Sequence, residues 1–330
     1  MADLPTLLFI PGAWHQPECY DKVINIIQGY QNVKCTAIRL PSTAGDPSAT
    51  FKDDLDAARE AISNETTQGR NVVVIAHSYG GMVGNSAIKD FTSLRNSTQK
   101  KQQPPTTGYV IGLILIASGF TLTGLAFMDP FFGHPPPFWR ANTATGYAEL
   151  VTSARELFYH DLPAEEAETW VSQLTTQSLK ALFEGGEYAY AGWRNVPSWY
   201  IGTVEDRGLP VFAQRMLVGM ARGMSGSVEH RELQTSHSPF LSQPDVTARV
   251  IQQAVCGGFS GQGGGQKGDD EWPMGGHGDV IATPEVTLWK PCTFFILGLP
   301  LTLGHILGRC ILLFSWGRRV WRSKPDARKV

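Results

Sequence analysis

The 330-residue sequence is poor in charged residues and carries almost no net charge. Asp, Glu, Lys and Arg make up 18% of the chain, below the quarter that is typical of globular proteins. With a formal net charge of −2, the chain lacks the basic surplus of most nucleic-acid-binding proteins, so we expect no nucleic-acid partner. Its 42% of apolar residues exclude disorder of the whole chain, because that much apolar surface can offset chain entropy.

Cysteines are also few, and no targeting signal precedes the first apolar run. The spacing of the cysteines fits neither a metal site nor a disulfide framework, which predicts free thiols in a reducing compartment. The opening segment MADLPTLLFIPG has no basic region and a short apolar run, so it predicts a strand rather than a signal peptide. We therefore expect a cytoplasmic protein. The five cysteines are Cys19, Cys35, Cys256, Cys292 and Cys310.

The near-neutral total conceals two parts of opposite charge. Residues 1–286 sum to −9, whereas residues 287–330 sum to +7. At the end of the acidic part, Gly257–Gly278 holds ten of the 35 glycines, which predicts a flexible linker over residues 257–286. The expected organisation is a catalytic domain over residues 1–256, this linker, and an apolar, basic tail.

Short apolar runs alternate with helical patterns along the first part of the chain. This order predicts an α/β fold with a mostly parallel sheet, flanked by helices and joined by right-handed crossovers. Residues 121–197 interrupt it with Pro- and aromatic-rich sequence and a helical pattern, which predicts an inserted helical lid. The predicted strands cover residues 6–10, 33–40, 71–76, 109–117, 198–203 and 228–233. Predicted helices cover residues 82–94, 209–222 and 244–255, and another begins at Phe51 with an apolar stripe of Phe51, Leu55, Ala58 and Ile62.

The most informative segment is the junction of a buried strand with a helix at Ser78. Small residues, Ala76 and Gly80, stand two positions before and after this serine, as in a nucleophile elbow, where a tight turn exposes the hydroxyl above the sheet. The usual first glycine of that motif is replaced by Ala76. The turn leaves the backbone N–H of Tyr79 at a helix N-terminus, where it can bind a developing oxyanion.

A serine needs a base, and an acid and a histidine follow in suitable places. Asp206 comes just after the predicted strand SWYIGT and His237 just after VEHREL, so both are expected at the carboxyl edge of the sheet. His237 would then take the proton of Ser78, and Asp206 would orient the imidazole. The adjacent Glu205 is the alternative acid.

Four separated motifs together resemble the α/β-hydrolase fold family. They are FIPGAWH at residues 9–15, AHSYGGM at 76–82, EDRGLP at 205–210 and SHS at 236–238. The likeness covers about residues 4–256 and is greatest to the branch that contains methyl-ester esterases and hydroxynitrile lyases. The resemblance implies Ser78 as nucleophile, Asp206 as acid, His237 as base, and the N–H groups of Ala13 and Tyr79 as the oxyanion hole.

The departures from that branch bear on the reaction. The branch usually has His where this chain has Pro11, and its lyases have Thr and Lys where this chain has Gly12 and Ser238. Without the lysine, ester hydrolysis is favoured over cyanohydrin cleavage. Two alternatives stay open: a carbon–carbon lyase or cyclase that uses the same histidine as a base, and a non-enzymatic ligand-binding protein of this fold.

The aromatic residues of the insertion indicate the class of substrate. We expect part of them, including Phe131 and Trp139, to line an apolar pocket for a hydrophobic ester, lactone or thioester. His15, which lies outside the insertion at the end of the motif FIPGAWH, is expected to contact the substrate as well. His134 and His160 are expected to be structural or exposed. No motif indicates a cofactor or metal, and a role in secondary-metabolite tailoring is expected by analogy alone.

The tail carries the one long apolar run. Residues 291–308 contain no charge, and Trp289, Trp316 and a basic sequence flank them, which predicts membrane contact through residues 289–322. A spanning helix and an interfacial helix both fit, although Pro300, His305 and Arg309 weaken the former. A tail without function is the third interpretation. The oligomeric state is not predicted.

Overall fold

The computed structural model describes residues 4–30, 32–93, 107–259, 281–282 and 294–322. The strands in these ranges are β1 (Thr6–Ile10), β2 (Cys35–Ala37), β3 (Val72–His77), β4 (Val110–Ile116), β5 (Trp139–Asn142), β6 (Tyr147–Leu150), β7 (Ser198–Thr203), β8 (Val228–Leu233) and β9 (Ile281–Ala282). A central sheet runs in the order β2-β1-β3-β4-β7-β8-β9, and its first six strands are mutually parallel. The short β9 pairs antiparallel with β8. This is the predicted α/β architecture.

Helices cover both faces of the sheet, which explains why the central strands lack polar alternation. Every residue of β1, β3 and β7 is buried. The described helices are α1 (Asp21–Tyr30), α2 (Phe51–Thr66), α3 (Gly80–Ala87), α4 (Ala154–Phe158), α5 (Ala164–Ser172), α6 (Leu179–Phe183), α7 (Val211–Gly223), α8 (Pro239–Ser242), α9 (Pro244–Gln253) and α10 (Leu299–Arg322).

The helix α2 begins where the sequence predicts it. Thr50 accepts a hydrogen bond from the backbone N–H of Asp53, whose carboxylate accepts one from the Thr50 N–H, which completes a capping box. The predicted apolar stripe of Phe51, Leu55 and Ile62 is buried.

Two predicted elements are longer in the sequence pattern than in the structure. The strand predicted over residues 33–40 is reduced to Cys35–Ala37, because it lies at the sheet edge and pairs with β1 alone. The helix predicted from Met82 to Leu94 begins at Gly80 and ends at Ala87. It ends there because Asp90 adopts a left-handed backbone conformation with φ of 76°, and Thr92 then forms a bridge to Val110.

The insertion is not wholly helical, so the prediction of a helical lid needs correction. It contains the antiparallel hairpin of β5 and β6 as well as α4, α5 and α6. Asn142 closes the hairpin loop by accepting hydrogen bonds from the N–H groups of Ala144 and Thr145, and Gly146 supplies a φ of 77°. The Trp14 indole donates to the Ala148 carbonyl at 2.9 Å, which joins the hairpin to the loop after β1.

Most of the glycine-rich linker predicted over residues 257–286 lies outside the described residues, as do Trp289 and Cys292 of the tail. The exceptions are residues 257–259, which continue the chain after α9, and β9, which pairs with Glu232 and Leu233 at the edge of the sheet. Farther on, α10 packs along α7, with Leu301 buried against the body of the protein.

Candidate active site

Ser78 stands on a strained turn between β3 and α3. Its φ is 51°, in the left-handed region that a residue with a Cβ rarely adopts. The turn is held by neighbours: the Ser78 N–H donates to the Ile116 carbonyl at 3.1 Å, and the Ser118 hydroxyl donates to the Ser78 carbonyl at 2.6 Å. The side chain is half-buried, so the nucleophile elbow predicted from the sequence has its expected shape.

Small residues beside the turn are required by close backbone contacts. A Cβ at Gly80 would lie 2.3 Å from the carbonyl oxygen of Pro11, and one at Gly84 would lie 3.0 Å from the Cβ of Ala76. The first contact lets the loop after β1 lie directly against the start of α3. A Cβ at Gly12 in that loop would come within 3.0 Å of the Ser78 Cβ.

Asp206 and His237 form a buried pair at the carboxyl ends of β7 and β8. The Asp206 Oδ2 lies 2.7 Å from the His237 Nδ1, and the two side chains are 0% and 4% exposed. Because a carboxylate only accepts hydrogen bonds, Nδ1 carries the proton, and Nε2 of the neutral ring is left as the acceptor.

The second acid named by the sequence does not take part in this pair. Glu205 is exposed, accepts a hydrogen bond from the Gln234 amide at 2.7 Å and lies 3.9 Å from the His160 Nε2. The alternative acid is therefore on the outer side of the loop.

Two elements each contribute one backbone N–H group near Ser78: the loop after β1 carries Ala13, and the turn between β3 and α3 carries Tyr79. Within the described part of the chain, the N–H groups of Ala13 and Tyr79 have no hydrogen-bond acceptor. Trp14 adopts a left-handed φ of 62°, which turns the loop back toward the insertion. Two unpaired N–H groups on either side of the serine are the arrangement that an oxyanion requires.

The predicted substrate contacts occupy three different environments. His15 is 2% exposed: its Nδ1 donates to the Ala13 carbonyl at 2.8 Å, and its Nε2 accepts from the Tyr159 hydroxyl at 2.9 Å. Burial lowers the pKa of His15 to about 4, so the ring is neutral. Its two hydrogen bonds join the loop after β1 to the insertion. Trp139 is buried between Trp14 and Phe183, whereas Phe131 is 43% exposed.

His77 packs against His237, a contact that the sequence did not predict. Its Nε2 donates to the His237 carbonyl at 3.0 Å. Burial, followed by the nearby imidazoles of His237 and His15, holds the pKa of His77 well below its usual range. The sequence shows that His77 directly precedes Ser78, but it does not show where the His77 side chain points, because that depends on the geometry of the turn.

A buried carboxyl group under the elbow was also missed. The Asp54 Oδ2 accepts from the Tyr79 hydroxyl at 2.7 Å, and its Oδ1 accepts from the Ser42 N–H at 2.8 Å. Burial raises the pKa of Asp54 to about 6, although these hydrogen bonds oppose the shift. Asp54 lies on the helical stripe of α2 between apolar positions, which was the available signal.

The insertion also fixes the loop that carries His237. Asp161 accepts hydrogen bonds from the Thr235 hydroxyl at 2.7 Å and from the Ser236 N–H at 2.9 Å. The Ser236 hydroxyl donates to the Phe158 carbonyl at 2.8 Å. The insertion is therefore joined to the loop that carries His237 as well as to the loop after β1.

The parallel sheet, the serine elbow and the Asp–His pair at its carboxyl edge define the architecture of an α/β hydrolase. The model of the alpha/beta hydrolase family matches residues 7–250. This chain belongs to that family and is an enzyme of the hydrolase type.

Two fungal proteins are similar to this chain over almost their whole length. Probable hydrolase R7 of a Phoma species is 32% identical over 256 residues, which cover 76% of this chain and 97% of the relative. Alpha/beta hydrolase nvfD of Aspergillus novofumigatus is 26% identical over 254 residues, with coverages of 76% and 96%.

Solved structures with the same fold are more distant in sequence. A pyrethroid hydrolase from Sphingobium faniae has 20% identity and a TM-score of 0.56, covering 77% of this chain and 98% of that one. Tomato methylketone synthase I in complex with 2-tridecanone has 13% identity and a TM-score of 0.58, with coverages of 76% and 97%. At these identities the likeness supports the fold alone.

Proposed function

We propose that this enzyme hydrolyses an apolar ester-type bond through an acyl-enzyme on Ser78. The observation that carries the proposal is the 2.7 Å bond between Asp206 and His237, at the same sheet edge as the strained serine. The bond leaves the Nε2 of a neutral imidazole as the acceptor for a serine proton.

The reaction proceeds in two halves. The Ser78 Oγ attacks the ester carbonyl while His237 takes its proton, and the N–H groups of Ala13 and Tyr79 bind the oxyanion. The intermediate collapses, His237 protonates the departing alcohol, and the acyl group stays on the serine. A water molecule then gives its proton to His237 and attacks the acyl carbonyl, which releases the acid and restores the hydroxyl.

Aromatic rings around these groups support an apolar substrate. The Phe127 ring lies 5.4 Å from that of Tyr79, and the Phe158 ring lies 5.5 Å from that of His237. The ring of Trp14, in the loop after β1, lies 6.1 Å from that of Phe158. The names of the pyrethroid hydrolase and of the complex with 2-tridecanone also refer to apolar small molecules. An ester, lactone or thioester of this kind is the proposed substrate class, with secondary-metabolite tailoring as its proposed setting.

The test is hydrolysis of p-nitrophenyl esters of increasing acyl length by the wild type and by Ser78→Ala. We expect kcat/KM to rise with acyl length and to fall roughly 10³-fold or more in Ser78→Ala. Ser86→Ala is the matched control, because Ser86 is a buried serine of α3 whose hydroxyl donates to the Met82 carbonyl of the same helix and accepts from the Tyr190 N–H, away from the candidate site. A rate that survives Ser78→Ala would contradict the proposal and favour base catalysis by His237 without acylation. No turnover on any ester, with retained binding of an apolar ligand, would favour the non-enzymatic alternative.

A further inference from the structure

The tail helix α10 is docked on the hydrolase body through small residues on both partners. A Cβ at Gly304 would lie 2.0 Å from the Met216 carbonyl oxygen, and one at Gly219 would lie 2.1 Å from the Leu301 carbonyl oxygen. Backbone therefore meets backbone along α7 and α10, with Gly308 and Gly223 in equivalent contacts one turn farther on.

Two further contacts fix the beginning of this tail. The Arg215 guanidinium donates to the Ile296 carbonyl at 2.8 Å, and β9 extends the sheet beside β8. The tail thus has a defined side toward the protein and a defined side away from it.

The side away from the protein is apolar. The exposed residues Leu303, Ile306, Leu307, Leu313 and Phe314 are between 42% and 68% exposed. At about 100° per residue they occupy one stripe of about 120° on α10. We call these five residues the outer stripe.

The other two sides of α10 differ from this one. The docked side carries Leu301, Gly304 and Gly308, and a third side carries the exposed residues Thr302, His305 and Arg309. A helix with one docked, one apolar and one polar side matches an interface between water and lipid better than a uniformly apolar interior.

Charge indicates what covers the outer stripe. Residues 287–330 sum to +7, with Arg318, Arg319 and Arg322 directly beyond the stripe, while residues 1–286 sum to −9. An anionic lipid surface attracts the tail and repels the body, so it meets the protein on this side. Trp316 and Trp321 lie in the same basic sequence and are residues favoured at lipid headgroups.

We propose that the outer stripe of α10 lies flat on an anionic membrane surface and holds the hydrolase there. By length and composition, Phe295–Phe314 is also apolar enough to cross a membrane, with a mean hydropathy of 1.7. Crossing would carry α7 with it into lipid, including Arg215, whose guanidinium is paired with Glu232 in the body. The docked geometry therefore favours a helix in the plane of the surface.

The test is co-sedimentation of the full chain with phosphatidylcholine vesicles, with and without phosphatidylserine. We expect binding that requires phosphatidylserine and weakens with salt. Leu303→Ser/Ile306→Ser/Leu313→Ser should reduce partitioning at least about tenfold, because three apolar side chains leave the lipid. The matched control replaces three apolar residues that are exposed elsewhere on the protein, Leu4→Ser/Phe132→Ser/Val151→Ser, and should bind as the wild type does.

Additional measurements separate the other occupants of the stripe. The variant Arg318→Gln/Arg319→Gln/Arg322→Gln keeps the stripe and should lose the phosphatidylserine dependence, and unchanged thermal unfolding shows that each variant is folded. Absence of vesicle binding by the wild type overturns the proposal. Sedimentation velocity showing a dimer that the stripe variant dissociates assigns the stripe to a second copy of the chain. Resistance of bound protein to alkaline carbonate extraction assigns it to a spanning helix.

Discussion

The side chain of Asp206 is held in place by several hydrogen-bond donors. It accepts hydrogen bonds from the N–H groups of Gly208 and Leu209, both at 2.8 Å, and from the Thr203 hydroxyl at 2.7 Å, besides the bond to His237. These donors fix the orientation of the carboxylate and thereby the tautomer of the imidazole.

Asp206→Asn should lower kcat on a p-nitrophenyl ester roughly 10³-fold or more, with little change in KM, because an amide cannot hold His237 in the required tautomer. Glu205→Gln is the matched control and should change kcat less than about twofold, since Glu205 lies outside the pair. Steady-state kinetics of the two variants check this. A larger loss in Glu205→Gln than in Asp206→Asn would reverse the assignment.

Asp54 makes the stability of the protein depend on pH. Its pKa is about 6 in the folded protein and about 4 in an unfolded chain, so between these values only the folded state keeps the proton. Stability from this group is therefore present below pH 4 and lost as the pH rises to about 6, by about 2–3 kcal/mol.

The expected result is a gain of stability by Asp54→Asn relative to the wild type as the pH rises from 4 to 7. Urea unfolding at several pH values measures this difference, since asparagine does not titrate. Asp56→Asn, which removes an exposed carboxylate of the same helix, should show almost no such trend. A pH-independent difference for Asp54→Asn would show that the buried carboxyl group does not titrate as stated.

At the scale of elements, the unit formed by β3, the serine turn and α3 works only if the loop after β1 can approach it closely. That approach depends on Gly80, which faces the Pro11 carbonyl. The same loop carries Ala13, so the position of one oxyanion donor depends on the packing of a neighbouring element.

Gly80→Ala should displace this loop and lower both stability and kcat, the former by about 2 kcal/mol or more, because the new Cβ meets backbone that has little room to move. Gly119→Ala is the control: its Cβ would have no neighbour within 4 Å, and both quantities should stay nearly unchanged. Thermal unfolding and ester kinetics of the two variants provide the comparison. Equal behaviour of the two variants would contradict the account of the elbow.

The sequence pattern predicted the bounds of some elements and missed others. The bounds of β1, β7 and β8 were predicted correctly. The sequence TLLFI of β1 is almost wholly apolar, as expected of a strand covered on both faces, whereas VEHREL of β8 begins with alternating buried and exposed residues. The hairpin of β5 and β6 was not predicted, since four-residue strands give almost no periodicity. Its available signal was the turn sequence from Asn142 to Gly146, which the helical pattern of the following residues obscured.

For the candidate site, sequence order and strand ends brought Ser78, Asp206 and His237 to one edge of the sheet, as the structure does. Pattern alone could not show that Asp206 rather than Glu205 contacts the histidine, because adjacent residues differ only in the direction of their side chains. The same limit applies to His15, which the sequence placed among the substrate contacts and the structure buries between the loop and the insertion.

At the scale of the whole molecule, a buried ion pair of the body also forms a hydrogen bond with the tail. The Arg215 guanidinium contacts the Glu232 carboxylate with two hydrogen bonds, at 2.7 and 2.8 Å, and also donates to the tail. Beside it, burial and the charges of Arg222, Arg215 and Arg231 lower the pKa of His230 to about 3, so the imidazole adds no charge.

Arg215→Met should destabilise the protein by about 3–5 kcal/mol, because it leaves the Glu232 carboxylate buried without a partner. Arg215→Met/Glu232→Leu should recover most of this loss, since an apolar pair of similar volume removes both charges. Chemical unfolding of the single and double variants measures the difference. A loss below about 1 kcal/mol in the single variant would show that the pair is hydrated and the tail does not cover it.

An acyl-enzyme on Ser78 can be observed by rapid-quench mass spectrometry during turnover of a p-nitrophenyl ester. We expect an added acyl mass on the peptide that contains Ser78, formed in a burst with the first equivalent of p-nitrophenol and absent from Ser78→Ala. Steady turnover without any acyl mass, or an acyl mass on another residue, would exclude Ser78 as the covalent nucleophile.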